Sequence, residues 1–246
     1  MDRGLYVAMT GAKQIMQAQT VNNHNIANVN TTGFRADTFS FTSQPVYGPG
    51  FASRVNAVAA DAGTDLSGGV LMSTGQPLDV AVGGKGFIAV QGANGKEAYT
   101  RAGDLRISES GALTTATGLP VLSGTGPIVL PPATSITIGG DGTVSIVPLG
   151  LKPSAQSQVD RIKLVNPPAK DLQKGEDGLL RLKSGQPATA DETVTLSSGV
   201  LESSNVNAAE SLVNMIQLQR LYELQIKSMN STDQNEQTAQ RLMQAS

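Results

Sequence analysis

Few residues of this chain have the types and spacing that chemistry needs. There is one histidine, His24, and no cysteine. Disulfides, thiolate metal sites and cysteine nucleophiles are therefore excluded, and one imidazole is too little for a histidine-based metal centre. A serine–histidine mechanism would have to use His24, but that residue lies among Asn22, Asn23 and Asn25, a setting that suits a polar surface or helix packing. Gly83-Gly84-Lys85-Gly86 has the outline of a phosphate loop. Such a loop delivers its amides into a helix N-terminus, whereas Phe87–Val90 is strand-like and no Ser or Thr follows Lys85. The glycines are expected in a tight β-turn with positive φ. The acidic pairs Glu176/Asp177 and Asp191/Glu192 stand in turn-like segments beside Gly178 and Ala190. Glycoside hydrolysis needs carboxylates facing each other across a substrate, so these read as solvated loop charges. Asn30-Thr31-Thr32 and Asn230-Ser231-Thr232 fit the glycosylation pattern, one that arises often by chance.

Composition points the same way. Charged residues are 15% of the 246 and hydrophobic residues 39%, a low charge density for a globular chain. Eighteen Lys and Arg against twenty Asp and Glu give a net charge of -2, without the excess cations that displace counterions from nucleic acid. Aromatics are 4% with no Trp, which counts against a carbohydrate-stacking groove. The longest apolar runs, such as Leu78–Val82 and Ile128–Pro132, fall far below the ~20 residues of a membrane span. Leu5–Ile15 is interrupted by Thr10, Gly11, Lys13 and Gln14, unlike a secretory signal. The chain is expected to be cytosolic, or exported without a cleaved leader. No enzyme activity, cofactor or metal is expected.

Gly and Pro mark out the elements. Both are absent from Ala12–Thr32 and from Val200–Ser246, and recur every few positions from Gly33 to Gly199. As the strongest helix breakers, they divide the chain into helix, Gly-rich middle and helix. In the first helix, alternating steps of three and four give Leu5, Ala8, Ala12, Ile15, Gln19, Asn22, Ile26 and Val29. Six of these eight are apolar, as in a helix that packs on another. Asp2 is the expected N-cap and Gly33 the expected stop. The last helix is expected to start at Asn207, with Ser204 as the alternative cap, and to run about 35–40 residues. Its seam is Leu212, Met215, Gln219, Tyr222, Ile226 and Met229, and a second stripe holds Val213, Ile216, Leu218, Leu221 and Leu224. A helix apolar over so much of its surface needs cover on several sides.

The middle reads as short strands, among them Leu78–Val82, Phe87–Val90, Glu97–Arg101, Leu113–Thr115, Val144–Val147 and Leu179–Leu182, with turns at Asn94-Gly95, Ser110-Gly111, Asp141-Gly142 and Asp177-Gly178. That pattern suits an antiparallel sandwich or barrel. Residues 34–76 are less regular, with Phe34, Phe39, Phe41, Tyr47 and Phe51 in a Ser/Thr/Pro/Gly background, and are expected as an extended arm. The expected fold class is α+β: N- and C-terminal helices (1–33 and 199–246) form a coiled-coil-like helical domain, with the arm and a mainly antiparallel β domain (77–198) inserted.

Asn22, Asn23, Asn25, Asn28 and Asn30 crowd nine positions at the end of the first helix. Asn is a poor interior helix residue, so these amides are expected to act between helices or to end the helix. The stretch they occupy, NNHNIANVNTTGF (Asn22–Phe34), resembles the N-terminal signature of the flagellar axial proteins of rod and hook, departing at His24 and Asn25. Its signature residues are Asn28, Asn30, Thr32, Gly33 and Phe34. PLDVAVGGKGFIAVQ (Pro77–Gln91) and AYTRAG (Ala98–Gly103) are similar to the shared β-domain motif of that family. MDRGLYVAMTGA, RIKLV (Arg161–Val165), KGEDGLLRL (Lys174–Leu182) and SGVLESSNVNAAE (Ser198–Glu210) resemble its proximal-rod branch.

The resemblance implies a structural subunit of the proximal rod, exported unfolded by the flagellar type III apparatus and assembled in the periplasm. The terminal helices of neighbouring subunits would form a tube that encloses the export channel and transmits motor torque. Partners would be copies of itself and rod proteins of the FlgB, FlgC and FlgG types, with no nucleic acid, small-molecule substrate or stable membrane insertion. The interface would use Leu5, Ala8, Ala12, Ile15, Gln19, Asn22, Ile26 and Val29 of the first helix, and Leu212, Met215, Ile216, Gln219, Tyr222, Ile226 and Met229 of the last. The alternatives are the distal rod protein FlgG and, in another class, an extracellular β-rich hydrolase or adhesin with helical oligomerisation ends.

Overall fold

A computed structural model describes residues 4–46, 55–150 and 156–244. The proposed cap Asp2 and the aromatics Tyr47 and Phe51 lie outside the described residues. The chain forms two units: one of residues 1–28, 37–65 and 206–246, the other of residues 29–36 and 66–205.

The first unit holds the helices α1 (Gly4–Ala27) and α2 (Ala208–Gln244) and a hairpin of β1 (Asp37–Pro45) and β2 (Val55–Thr64). Asn207 starts α2 by accepting the amides of Ala209 and Glu210 on its side-chain oxygen, at 3.1 and 3.3 Å, as its sequence position predicts. At 37 residues α2 is about 55 Å long. The helices run antiparallel. Asn22 Nδ2 donates to the Ser211 carbonyl at 2.8 Å, whereas eleven residues earlier Gly11 meets the side chain of Gln225. The buried face of α1 is a row of small residues, Ala8, Gly11, Ala12 and Ala18, around Ile15, and small side chains let a second helix come close.

α1 ends at Ala27, short of Gly33. The cause lies in the asparagines. Asn28 Nδ2 donates to the His24 carbonyl at 2.9 Å. Asn25 exchanges two hydrogen bonds with the Asp37 backbone, donating to its carbonyl at 2.8 Å and accepting its amide at 2.9 Å. One amide thus works between the helices, and two more end the helix and turn the chain into β1.

The second unit is an antiparallel β body. Its main sheet has the order β12-β5-β6-β14-β13, from Leu164–Val165, Phe87–Gln91, Glu97–Thr100, Leu180–Leu182 and Leu172–Lys174. A three-stranded sheet joins β11 (Ser157–Arg161), β10 (Thr143–Pro148) and β9 (Ala133–Ile138). Two-stranded ladders pair β15 (Thr195–Ser198) with β4 (Val80–Gly83), β16 (Val200–Glu202) with β3 (Leu71–Ser73), and β7 (Leu105–Ile107) with β8 (Leu113–Thr115). Alternation along β5 explains its burial on both faces. Ile88 and Val90 enter a core with Val80, Leu113, Val121, Ile128, Val144, Ile146 and Ile162. Phe87 and Ala89 enter a second core with Tyr99, Val165, Leu172 and Leu180. Burial in that second core pushes the Tyr99 hydroxyl up to about 12, while its oxygen accepts the Ala188 amide at 2.7 Å.

These observations correct the expected fold class. The chain is not a coiled-coil-like helical domain with an inserted β domain: among the described residues it has two α-helices, one near each end, and a large antiparallel β body. The helices also share their unit with strands, because α1 packs against both β1 and β2 as well as α2. Residues 34–76 contain β1, β2 and β3. The physical reason is that α2 covers only one stripe of α1, and the hairpin takes a further flank of it.

Candidate assembly surface and ionic hub

The helical unit covers one seam and leaves another open. Of the predicted N-terminal positions, Ala8, Ala12, Ile15 and Asn22 are buried; Gln19, Ile26 and Val29 are half-buried; Leu5 is exposed. On α2, Met215, Tyr222, Ile226 and Met229 are half-buried, whereas Leu212, Ile216 and Gln219 are exposed. Leu212, Val213, Ile216, Leu221 and Leu224 are each between 47% and 61% exposed. Tyr6, Met9 and Met16 add exposed apolar area on α1. Scattered exposed hydrophobes are ordinary, but a run of them on one helix marks an interaction surface.

The signature residues at the end of α1 divide. Asn30 is exposed, Asn28 and Thr32 are half-buried, and Gly33 and Phe34 are buried in the β body. Gly33 has φ +67, and a Cβ there would lie 2.2 Å from the Arg101 carbonyl carbon, so only glycine fits. The Phe34 ring carries the Lys174 ammonium 4.0 Å above its centroid, and the same Nζ donates to the Arg35 carbonyl at 2.7 Å.

Beside Phe34 lies a buried ionic hub that sequence reasoning did not single out. Glu202 Oε1 accepts Arg35 Nη2 at 2.5 Å and the Gly69 amide at 2.8 Å. Its Oε2 accepts Arg101 Nη1 at 2.9 Å, and its carbonyl accepts the Gly33 amide at 2.8 Å. The three side chains are 2–6% exposed. Arg101 also donates to the carbonyls of Val82 at 3.2 Å and Gly84 at 2.6 Å, and sits 5.2 Å from the Phe87 ring centroid. Burial would raise the Glu202 carboxyl, but the Arg35 hydrogen bond, the Gly69 amide and both guanidinium charges outweigh it and hold the carboxyl below its ordinary range. Burial lowers Arg101, opposed by the charge of Glu202. Asn205 extends the hub: its Oδ1 accepts the Ala36 amide at 2.8 Å, its Nδ2 donates to the Ser67 carbonyl at 3.2 Å, and its amide donates to the Phe34 carbonyl at 3.3 Å. The available signal was positional. Arg101 and Glu202 lie within AYTRAG and SGVLESSNVNAAE, and Arg35 follows the signature directly.

The other chemical candidates take ordinary roles. His24 Nδ1 lies 2.9 Å from Asp37 Oδ2 on the exposed last turn of α1. Gly84 and Gly86 have φ +63 and +146, and strand β5 follows them, so no helix N-terminus is offered to a phosphate. Asp177 pairs with Arg181, which holds its carboxyl down. Asp191 accepts the Thr193 hydroxyl and amide at 2.6 and 2.9 Å, and these bonds lower it. Among the described residues no group of three His, Asp or Glu could hold a metal ion, and no helix is long and apolar enough to cross a membrane.

Two family profiles match. One, described as the flagellar hook protein FlgE/F/G D1 domain, covers residues 81–146, within the β body. The other, the flagellar basal body rod FlgEFG protein C-terminal, covers residues 197–242, from β15 through most of α2. The flagellar basal-body rod proteins FlgF of Salmonella typhimurium and of Escherichia coli are each 39% identical to the chain over the whole of both sequences. The rod protein FlgG of Bacillus subtilis is 33% identical over 94% of this chain and 96% of its own. The full-length matches, with the signature, β body and C-terminal helix in the same chain, show that it belongs to the FlgF family of structural flagellar basal-body rod proteins.

Proposed function

We propose that the chain is a subunit of the proximal rod and that it assembles through the helix faces its own fold leaves open. The single observation that carries this reading is the exposed apolar row Leu212, Val213, Ile216, Leu221 and Leu224 on α2. In a packed tube each such side chain, already about half covered, would gain roughly 1 kcal/mol, about half the value for full burial. In that arrangement the predicted interface residues have two tasks. Ala8, Ala12, Ile15, Asn22, Met215, Tyr222, Ile226 and Met229 hold α1 and α2 together within the chain. Leu5, Leu212, Ile216 and Gln219 meet neighbouring subunits. Low charge density limits repulsion between identical copies.

On this reading the neighbours are copies of the chain and rod proteins of the FlgB, FlgC and FlgG types. The flagellar type III apparatus delivers the chain to the periplasm, and the finished tube transmits torque around the export channel. The FlgF rather than the FlgG reading is supported by 39% identity to the FlgF proteins of Salmonella typhimurium and Escherichia coli against 33% to the FlgG of Bacillus subtilis. The test is complementation of a strain that lacks its own copy. Leu212→Asp and Ile216→Asp are expected to be secreted and folded yet to stop rod completion. Normal motility with both would remove the proposed interface.

A further inference from the structure

The chain passes between its two units at four points: after Asn28, after Ala36, after Asp65 and after Asn205. On the β-body side, the short segments next to these passages, residues 29–36 and 66–70, each hold residues tied to Glu202–Asn205. Gly33, Phe34, Arg35 and Ala36 bind it from the loop between α1 and β1. Ser67, Gly69 and Val70 bind it from the segment after β2: Gly69 through Glu202 Oε1, Ser67 through Asn205 Nδ2, and Val70 by accepting the Ser203 amide at 2.9 Å. Asn205 itself precedes the last passage, into α2. A Cβ on Gly69 would lie 2.0 Å from the Ser203 carbonyl oxygen, so the two segments meet with no room between them. Arg101, directly after β6, fastens this knot to the body through Val82 and Gly84.

We infer that Arg35, Glu202 and Arg101 are positioning residues of a joint inside the β body, where the chain segments that lead to the terminal helices are tied and take up force arriving along them; this rests on the rod reading above. Stability alone does not account for the cluster. Buried ion pairs are seldom better than apolar groups of the same volume, and Arg35 Nε, Arg35 Nη1 and Arg101 Nε are buried with no hydrogen-bond partner among the described residues. What the ions supply is direction: a carboxylate with two guanidiniums and an amide around it admits one arrangement of the segments that bring them, whereas apolar contacts can slide. A shaft subunit pulled at its helices needs that property where every covalent connection enters the body.

The experiment compares the parent with Glu202→Asp, which draws the carboxylate back by one methylene, and with the triple variant Arg35→Met, Arg101→Met, Glu202→Leu, which keeps volume without charge. In the purified full chains, amide exchange at Gly33, Ala36 and Gly69 is expected to be about tenfold faster in both variants, with Val90 and Val144 unchanged. In a strain lacking its own copy, both are expected to complete flagella in parental number. Under sustained high load on an attached bead, rotation should stop roughly twice as often as in the parent. Parental exchange rates in both variants overturn the joint. Faster exchange with parental endurance under load overturns its force-carrying role. A deletion strain that swims normally overturns the rod reading and the force role with it, while the exchange data still decide whether the joint exists.

Discussion

The β body and the helical unit treat their apolar side chains in opposite ways. The body buries both faces of its central strand, with Ile88 and Val90 in one core and Phe87 and Ala89 in the other. The helical unit buries a narrow row of alanines and Ile15 but leaves Leu212, Val213, Ile216, Leu221 and Leu224 half open to solvent. A region with two closed cores is complete in a single molecule. A long helix with half its apolar surface uncovered is not, and on the assembly reading proposed above it would obtain the remaining contacts from other chains. The division suits the proposed rod subunit: a finished body, and ends that assembly would finish.

The sharpest break of that contrast is on the body side. Glu202→Gln removes the charge opposing two buried guanidiniums and is expected to cost about 3–5 kcal/mol at neutral pH, read by urea denaturation of the body. The same carboxyl gives a pH signature. Because its folded value lies below its ordinary 4.5, its stabilisation is full above that ordinary value and is lost as pH falls through the folded one. The parent should therefore weaken more steeply than Glu202→Gln as pH falls below the carboxyl's ordinary 4.5. On the helical side, Ile15→Ala opens a cavity in the α1–α2 seam and should cost about 2–4 kcal/mol. The loss should appear as helical circular dichroism without a shift of the β-body transition, since the two units have separate cores. The smallest effect belongs to Glu192→Gln. Its carboxylate is 84% exposed and stands 3.5 Å from Arg161, so the change in stability should stay below about 0.5 kcal/mol.

Much of the body was legible because its strands carry strong local signals. Asn94-Gly95 sits at the turn between β5 and β6, and the run Phe87–Val90 is one of the two strands it joins. Asn207 was legible as the cap of α2 for the same reason, a local hydrogen bond between neighbours in sequence. The hairpin at residues 37–64 was not, although Phe39 and Phe41 alternate and their rings meet edge to face at 4.7 Å; nothing in that Ser/Thr/Ala-rich stretch announces a partner strand. The seam on α2 was legible only in part. Periodicity finds the apolar stripes, but which one faces α1 depends on the small residues of the partner helix, a pairing over some 200 positions. The hub was hidden for the same reason: Arg35, Arg101 and Glu202 are isolated charges far apart in sequence, and only the fold brings them within hydrogen-bond distance.

Amide exchange along α1 and α2, compared between soluble subunit and assembled rod, tests the central claim most directly. Protection of the two helices is expected to rise about tenfold or more on assembly, concentrated from Leu212 to Leu224, while Val90 and Val144 in the β body keep their rates. Equal protection of both helices before and after assembly would contradict the claim that neighbouring chains complete them.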